Sequence, residues 1–258
     1  MKVQDVLEWL DALAPLETAE GFDNVGLLMG DREAEVHTVL FGMDITDAMA
    51  DEAIQLGAEL IITHHPFIFH ALKRIDYTGP QGRTLCRLAE RRISVIAAHT
   101  NWDKASGGVG DSLAKALELT DITNADDYVR VGTLPSPMDL SAFAAHVRKV
   151  LHINARFYPS SIGTITRVAV AGGAYGEGYW AALAAGAQAY VVGEIAHHEI
   201  LDASARGLAL CDAGHFATEW PGVIALYDCF TADAQSSLWD VQAHLHTTAP
   251  YAGAILAE

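Results

Sequence analysis

Three short strings concentrate metal-binding and acid–base chemistry in this sequence: His64-His65, His99-x3-Asp103 and His215-x3-Glu219. Neutral imidazoles and carboxylates are donors that Zn, Mn and Fe(II) accept. Three His (His64, His65, His215) and two carboxylates (Asp103, Glu219) are too few for two separate closed sites. They suffice for two cations about 3.5–4 Å apart if the carboxylates bridge, with open positions for water. A metal pair of that kind lowers the pKa of a coordinated water toward about 7, giving a nucleophile at neutral pH. His99 is the candidate proton shuttle, because imidazole titrates near neutrality. It could alternatively serve as a ligand, orient Asp103 or contact substrate.

Each string also has a plainer reading. His-His pairs occur by chance, and a His at a strand end is often only hydrogen-bonded. A His-x3-Glu spacing also arises as an exposed helical pair. Adjacent His64 and His65 cannot point the same way from a regular strand, because side chains alternate. At a strand end leading into Pro66 the chain can turn, and each imidazole can then serve a different metal.

The elements that position these groups are legible in the periodicity. Residues 3–14 place Val3, Val6, Leu7, Leu10 and Leu13 at helical spacing. A polar loop, Glu20-Gly21-Phe22-Asp23-Asn24-Val25-Gly26, follows. Apolar strands are expected at 39–43, 59–62 and 93–97, with helices over 46–56 and 80–91. The strands end at Asp44, at Thr63-His64-His65-Pro66 and at His99-Thr100-Asn101-Trp102-Asp103. Alternating strands and helices imply parallel strands with helical crossovers. In such sheets ligands collect beyond the carboxyl ends of the strands, where all the polar strings fall.

The second half repeats the order. Strands are expected at 167–171, 189–192 and 208–211, the second ending at Gly193-Glu194 and the third at Gly214-His215-Phe216-Ala217-Thr218-Glu219. Val39 matches Val168 and Gly57 matches Gly186, both at an offset of 129 by subtraction, so His64 and His65 fall opposite Gly193 and Glu194. His99-x3-Asp103 matches His215-x3-Glu219 at an offset of 116. The shared order points to an internal duplication. The expected fold is therefore α/β, two similar lobes with mostly parallel sheets flanked by helices and a metal cleft between the lobes. The lobes are expected at 1–125, carrying His64, His65 and Asp103, and at 126–258, carrying His215 and Glu219. The boundary falls in the polar, turn-rich 121–130, and a further helix starts over 139–151. The last stretch, 239–257, suits an edge strand or a cap on either lobe; its periodicity does not decide.

Composition narrows the function classes. The chain has 258 residues, of which 51% are hydrophobic and 19% charged, enough to bury a large core. Its 16 Lys+Arg against 33 Asp+Glu give a net charge of −17. That charge disfavours phosphate backbones and anionic membranes as main partners. Met1-Lys2-Val3-Gln4-Asp5 opens an amphipathic helix, not an apolar signal core, and no long apolar run is present. Cys86, Cys211 and Cys229 lack a CxxC spacing and read as buried thiols in a reducing cytoplasm. The localisation expected is cytoplasmic. No GxxxxGK[ST] loop and no GxSxG elbow appears.

Other polar clusters rank lower. His197-His198-Glu199 either lines the site or is a helix N-terminal cluster. Asp23-Asn24 and Asp44 are either acceptors for metal-bound His or, respectively, a plain turn and a plain strand terminus. His244-x-His246 reads as surface. Gly172-Gly173-x-x-Gly176-x-Gly178 misses the GxGxxG spacing and reads as a strand-to-helix turn. Ser106-Gly107-Gly108-Val109-Gly110-Asp111 offers backbone N–H groups to an anion or caps a helix.

Gly21-Phe22-Asp23-Asn24-Val25-Gly26-Leu27, Thr63-His64-His65-Pro66-x-x-Phe69, His99-Thr100-Asn101-Trp102-Asp103 and Gly214-His215-Phe216-Ala217-Thr218-Glu219 occur in that order. The sequence resembles the Nif-three-like dinuclear metal-centre family, whose members are often named GTP cyclohydrolase 1 type 2 homologues. The resemblance covers nearly the whole chain, in the short form without an inserted middle domain. It implies two lobes with a dimetal cleft and ligands at His64, His65, Asp103, His215 and Glu219. It also implies a homohexamer built as a trimer of dimers, with the metal sites facing an interior cavity. Two departures stand out: Phe22 where the family often has Trp, and Glu194 where Gly-Asp is common.

The reading is a metal-dependent hydrolase of a small molecule holding two divalent ions (Fe, Zn or Mn) per subunit. A GTP cyclohydrolase-like reaction is implied by the resemblance alone. The alternative is a non-catalytic metal storage, metal delivery or scaffold ring. Regulation through a protein partner is a third possibility, which large exposed apolar patches would support.

Overall fold

The apolar runs that end beside the polar strings are buried on both faces, as central parallel strands require. All four residues of Leu60–Thr63 and of Ser94–Ala97 are buried. The computed structural model describes residues 1–249. Within them the chain forms two units, residues 1–105 with 223–249, and residues 106–222.

The first unit contains α1 (Val3–Leu13), β1 (Gly26–Met29), β2 (Thr38–Gly42), α2 (Asp47–Leu56), β3 (Leu60–Thr63), α3 (Pro80–Glu90), β4 (Ser94–Ala97) and α4 (Thr100–Lys104). The second contains α5 (Val109–Ala116), β5 (Thr120–Asn124), β6 (Arg130–Met138), α6 (Leu140–Leu151), β7 (Arg156–Tyr158), β8 (Ile165–Val170), α7 (Tyr179–Ala184), β9 (Ala189–Val192), α8 (His197–Ala205) and β10 (Ala209–Asp212). Helix α9 (His215–Ser236) starts in the second unit and from Val223 belongs to the first, which closes with β11 (Gln242–Leu245).

The first sheet has the order β1-β4-β3-β2-β11, and the second β5-β6-β8-β9-β10-β7. β2, β3 and β4 are parallel, and so are β8, β9 and β10. The expected duplication is visible in the registers. Val39 pairs Leu60 and Leu60 pairs Ser94; Val168 pairs Ala189 and Ala189 pairs Ala209. The first two strands keep the 129 offset, while Ser94 and Ala209 differ by 115 and His99 and His215 by 116. One residue has thus been inserted between the third strand and its His. In each unit an antiparallel strand borders the third strand, β1 on β4 and β7 on β10. Gly57 and Gly186 correspond and both are left-handed, with φ of 68° and 74°. A β-carbon is disfavoured there, which explains why glycine stands in both copies.

One face of the first sheet packs Leu40, Ile61 and Val95 against Met49, Ala53 and Leu88. Phe41 lies against Phe230 at 5.2 Å between ring centroids, and Phe230 against Trp9 at 5.1 Å. In the second unit Val168, Val170 and Val191 pack with Leu113 and Phe143, while Ala169, Tyr190 and Val192 pack with Tyr179 and Ala182.

Three details differ from the sequence reading. The polar stretch at 120–124 is strand β5, an edge strand whose residues are mostly exposed, so it carries no apolar period. The units divide at 105/106 rather than near 121–130, because α5 packs on β5, β6 and β8. The final stretch joins as β11, parallel to β2 with Ala243 opposite Val39; residues 250–257 of that reading lie outside the described residues. His246 is not surface. It is 4% exposed, and its Nδ1 is paired with the Glu52 carboxylate. His244 is half-buried. Among the described residues no helix is long and apolar enough to cross a membrane. None of the three cysteines is in a disulfide; Cys211 is buried, Cys86 and Cys229 are half-buried, and burial pushes the Cys211 thiol well up.

Candidate metal centre

In the first unit the backbone delivers His64 and His65 just past β3. His64 N donates to Gly42 O and His65 N to Met43 O, so pairing continues beyond the strand. The Thr63 hydroxyl donates to His65 O at 2.8 Å and turns the chain. The two rings end 5.1 Å apart at 44°, on a turn rather than alternating across a sheet. His99 precedes α4 and Asp103 lies within it. Trp102 and Asn101 of that helix are fully buried, and the Asn101 amide donates to Ala14 O at 2.8 Å. His64, His65 and His99 offer ligand atoms that lie within 4.8 Å of one another. His64 Nε2 is 3.5 Å from Asp103 Oδ1.

The second unit brings together His215 and Glu219, on the first turn of α9. His215 Nε2 lies 3.2 Å from Glu219 Oε1, and Glu219 is 4% exposed. The wall beside them is bare backbone. A β-carbon on Gly173 would overlap Glu219 Oε1, and one on Gly193 would stand 2.6 Å from Gly173 O and 2.9 Å from His215 Cα. Gly173 N donates to Thr218 Oγ1 at 3.1 Å and Glu194 N to Gly173 O at 3.0 Å, which ties the turn to the helix.

The imidazoles share one pattern. His64 Nδ1 donates to Ala98 O at 2.8 Å, His65 Nδ1 to Asp44 at 2.7 Å, His99 Nδ1 to Asp23 at 2.9 Å and His215 Nδ1 to Glu194 at 2.7 Å. In a neutral imidazole this fixes Nε2 as the lone-pair nitrogen. In both His64–Asp103 and His215–Glu219 an acceptor nitrogen then faces a carboxylate oxygen. Two acceptors that close need a cation or a proton between them. The donor set and the glycine cradle therefore fit divalent metal ions. Such outer partners orient ligand rings and raise their basicity.

Electrostatics single out Asp23. Burial raises its carboxyl, but hydrogen bonds from His99 and Thr100 and the charge of His99 outweigh this and hold it far below the usual carboxylate range.

The structure decides several readings left open. Asp23 and Asp44 both hold imidazoles, and Glu194, despite the change from Asp, holds His215. His197 and His198 are exposed at the start of α8, where Glu199 accepts from Ala196 N at 2.7 Å: a helix N-terminal cluster. In the 106–111 loop Gly107 N donates to Asp111, which also binds Arg130, so the loop is fastened to the first turn of α5. The Gly172–Gly178 string is a turn between β8 and α7. Two contributors escaped the sequence reading. Ala98 acts through its carbonyl and leaves no side-chain signal. Thr218 lies three residues after His215, a spacing that helix geometry alone could have flagged.

A two-unit α/β protein with His/carboxylate groups that could bind metal is the class these features define. The Duf34/NIF3 (NGG1p interacting factor 3) family model matches residues 1–250, and the chain belongs to that family. It is 32% identical over 233 residues to a GTP cyclohydrolase 1 type 2 homolog of Clostridium perfringens, covering 87% of this chain and 89% of the relative. The corresponding Streptomyces coelicolor protein is 33% identical over 261 residues, covering 96% of this chain and 92% of the relative. A crystal structure of a Staphylococcus aureus hypothetical protein superposes with a TM-score of 0.91 at 29% identity, covering 96% of this chain and 97% of that one.

Proposed function

We propose that the two clusters combine into one dinuclear divalent-metal centre, and that the protein is a metal-dependent hydrolase of a small molecule. The observation that carries this is the facing of lone-pair nitrogens and carboxylates in both units. The first unit supplies His64, His65 and Asp103, and the second His215 and Glu219. Two donors cannot close a four-coordinate site, so the second set needs further ligands. Glu219 has two oxygens and can bridge. The donors suit Fe, Zn or Mn, and availability selects among them.

Two bound divalent ions supply Lewis acidity and an acidified water. The chain's residues do the rest. Asp44, Glu194 and the Ala98 carbonyl orient the ligand rings. His99, 18% exposed and beside His64 and His65, is the proton shuttle. The names of the relatives support a GTP cyclohydrolase-like reaction on a purine nucleotide. The resemblance also supports a homohexameric ring, a trimer of dimers.

The test is elemental analysis of anaerobically purified protein, then turnover of nucleotides, phosphoesters and amides with the metal found. Wild type should hold two ions per chain and turn over one class; His64→Ala should lose metal and turnover together. Metal-loaded wild type that turns over none of the panel would leave the storage or scaffold reading in its place. Native mass spectrometry at other than six copies would overturn the hexamer.

A further inference from the structure

The loop at 20–25 stands out in the sequence, yet none of its residues is among the proposed ligands. Its Asp23 side chain is fully buried. Both carboxylate oxygens are committed. Oδ1 accepts from His99 Nδ1 at 2.9 Å and Asn24 N at 2.7 Å; Oδ2 accepts from Thr100 N at 3.1 Å and Thr100 Oγ1 at 2.5 Å. Glu20 N donates in turn to Thr100 Oγ1 at 2.9 Å. The neighbouring Asn24 amide donates to Ile68 O at 2.5 Å, in the segment that follows His64-His65. The loop thus grips both stretches of chain that carry the first unit's imidazoles.

A helix cap needs one carboxylate oxygen. Asp23 spends the other on the ring of His99. The duplication shows that this is more than packing. His99 and His215 correspond, and both have Nδ1 held by a carboxylate. For His215 the holder is Glu194, but the position corresponding to Glu194 is occupied by His65, at the offset of 129. A holder for His99 cannot come from there, and one is supplied from a different loop. The same anchoring has been reached from two unrelated positions, so anchored Nδ1 is a requirement of the site. The two anchors differ in burial: Glu194 is 61% exposed, Asp23 not at all.

We infer that Asp23 is a positioning residue that holds His99 in the Nδ1–H tautomer, with its Nε2 lone pair presented as the proton acceptor of the reaction. This rests on the proposed role of His99 as proton shuttle. Nε2 takes the proton of the attacking water, both ring nitrogens then carry hydrogen, and Asp23 faces the resulting cation without itself being protonated. Nε2 next returns that proton to the leaving group, which regenerates the starting tautomer. Where a buried carboxylate orients a catalytic imidazole in this way, its change to the amide selects the wrong tautomer and costs about 10⁴ in kcat.

The experiment uses the full chain with 15N-labelled histidine. Long-range 1H–15N spectra of the metal-free protein report each tautomer, and His99→Ala assigns the signal. Wild type should show His99 as Nδ1–H. Asp23→Asn, whose amide donates to Nδ1, should convert it to Nε2–H. Thr100→Val removes the hydroxyl from the same carboxylate and should leave the tautomer unchanged, which separates positioning from local packing. Metal content measured in parallel should stay at the wild-type value in Asp23→Asn. With GTP as probe, Asp23→Asn should lower kcat by about 10²- to 10⁴-fold with little change in KM. An unchanged tautomer in Asp23→Asn, or a switch in Thr100→Val too, would overturn the inference. So would loss of metal in Asp23→Asn as large as in His64→Ala, since Asp23 would then support the ligands. Metal-loaded wild type inert toward GTP would count against the nucleotide hydrolase reading, while the spectra would still decide what Asp23 does to His99.

Discussion

Replacing Gly173 by Ala separates backbone cost from site cost. Gly173 has φ of +60°, and Gly186, also left-handed at φ +74°, is a matched control with no atom within 4 Å of where a β-carbon would stand. The left-handed conformation alone costs an alanine about 1–2 kcal/mol. At a few °C per kcal/mol for a chain of this size, Gly186→Ala should lower Tm by about 2–6 °C and leave metal binding intact. At Gly173 the new methyl adds a collision. It overlaps Glu219 Oε1 and stands 3.2 Å from Glu219 Cδ and 3.3 Å from His215 Nε2. Overpacking of this kind typically costs a further 1–3 kcal/mol. The buried carboxylate must shift, and its shift is read directly as lost metal. Gly173→Ala should therefore fall about 2–9 °C below the control in calorimetry, and its affinity in chelator competition should drop at least tenfold. If Gly173→Ala matches Gly186→Ala in Tm and keeps wild-type metal content, the glycine wall does not shape the Glu219 position and the cradle argument fails.

Other perturbations address the remaining links. Asp44→Ala removes the acceptor from His65 Nδ1 and should weaken metal binding about 10–100-fold in chelator competition with little change in fold; wild-type affinity would show that His65 needs no holder. The depressed carboxyl of Asp23 contributes stability that is complete above the unfolded value of about 3.9 and is lost as pH falls below it toward the lower folded value. Wild type should therefore lose stability more steeply than Asp23→Asn between about pH 4 and pH 2 in urea melts; parallel slopes would refute this. Phe230→Ala, at a fully buried ring against Phe41 and Trp9, should cost about 3–5 kcal/mol in denaturant unfolding, yet leave metal content unchanged well below Tm.

The sequence by itself determined the three parallel strands of each half and the chemistry at their ends. Continuous apolar runs such as 60–62 can satisfy their backbone and side chains only as buried strands, and the positions that follow them carry what faces outward. Matching glycines at 57 and 186 marked the same left-handed turn twice, because that conformation excludes a β-carbon. What tertiary structure decided was every pairing made through a long loop or a backbone atom. The carbonyl of Ala98 under His64, and Asp23 under a ring 76 positions away, have no local period to betray them. Edge strands such as β5 escaped for a related reason: exposed on most of their residues, they need no apolar pattern. His246 shows the converse limit. A lone polar residue near the end of the described chain gives no sign that a strand will carry it against β2 and bury it beside Glu52, since its burial depends on where the neighbouring strand and helix already stand.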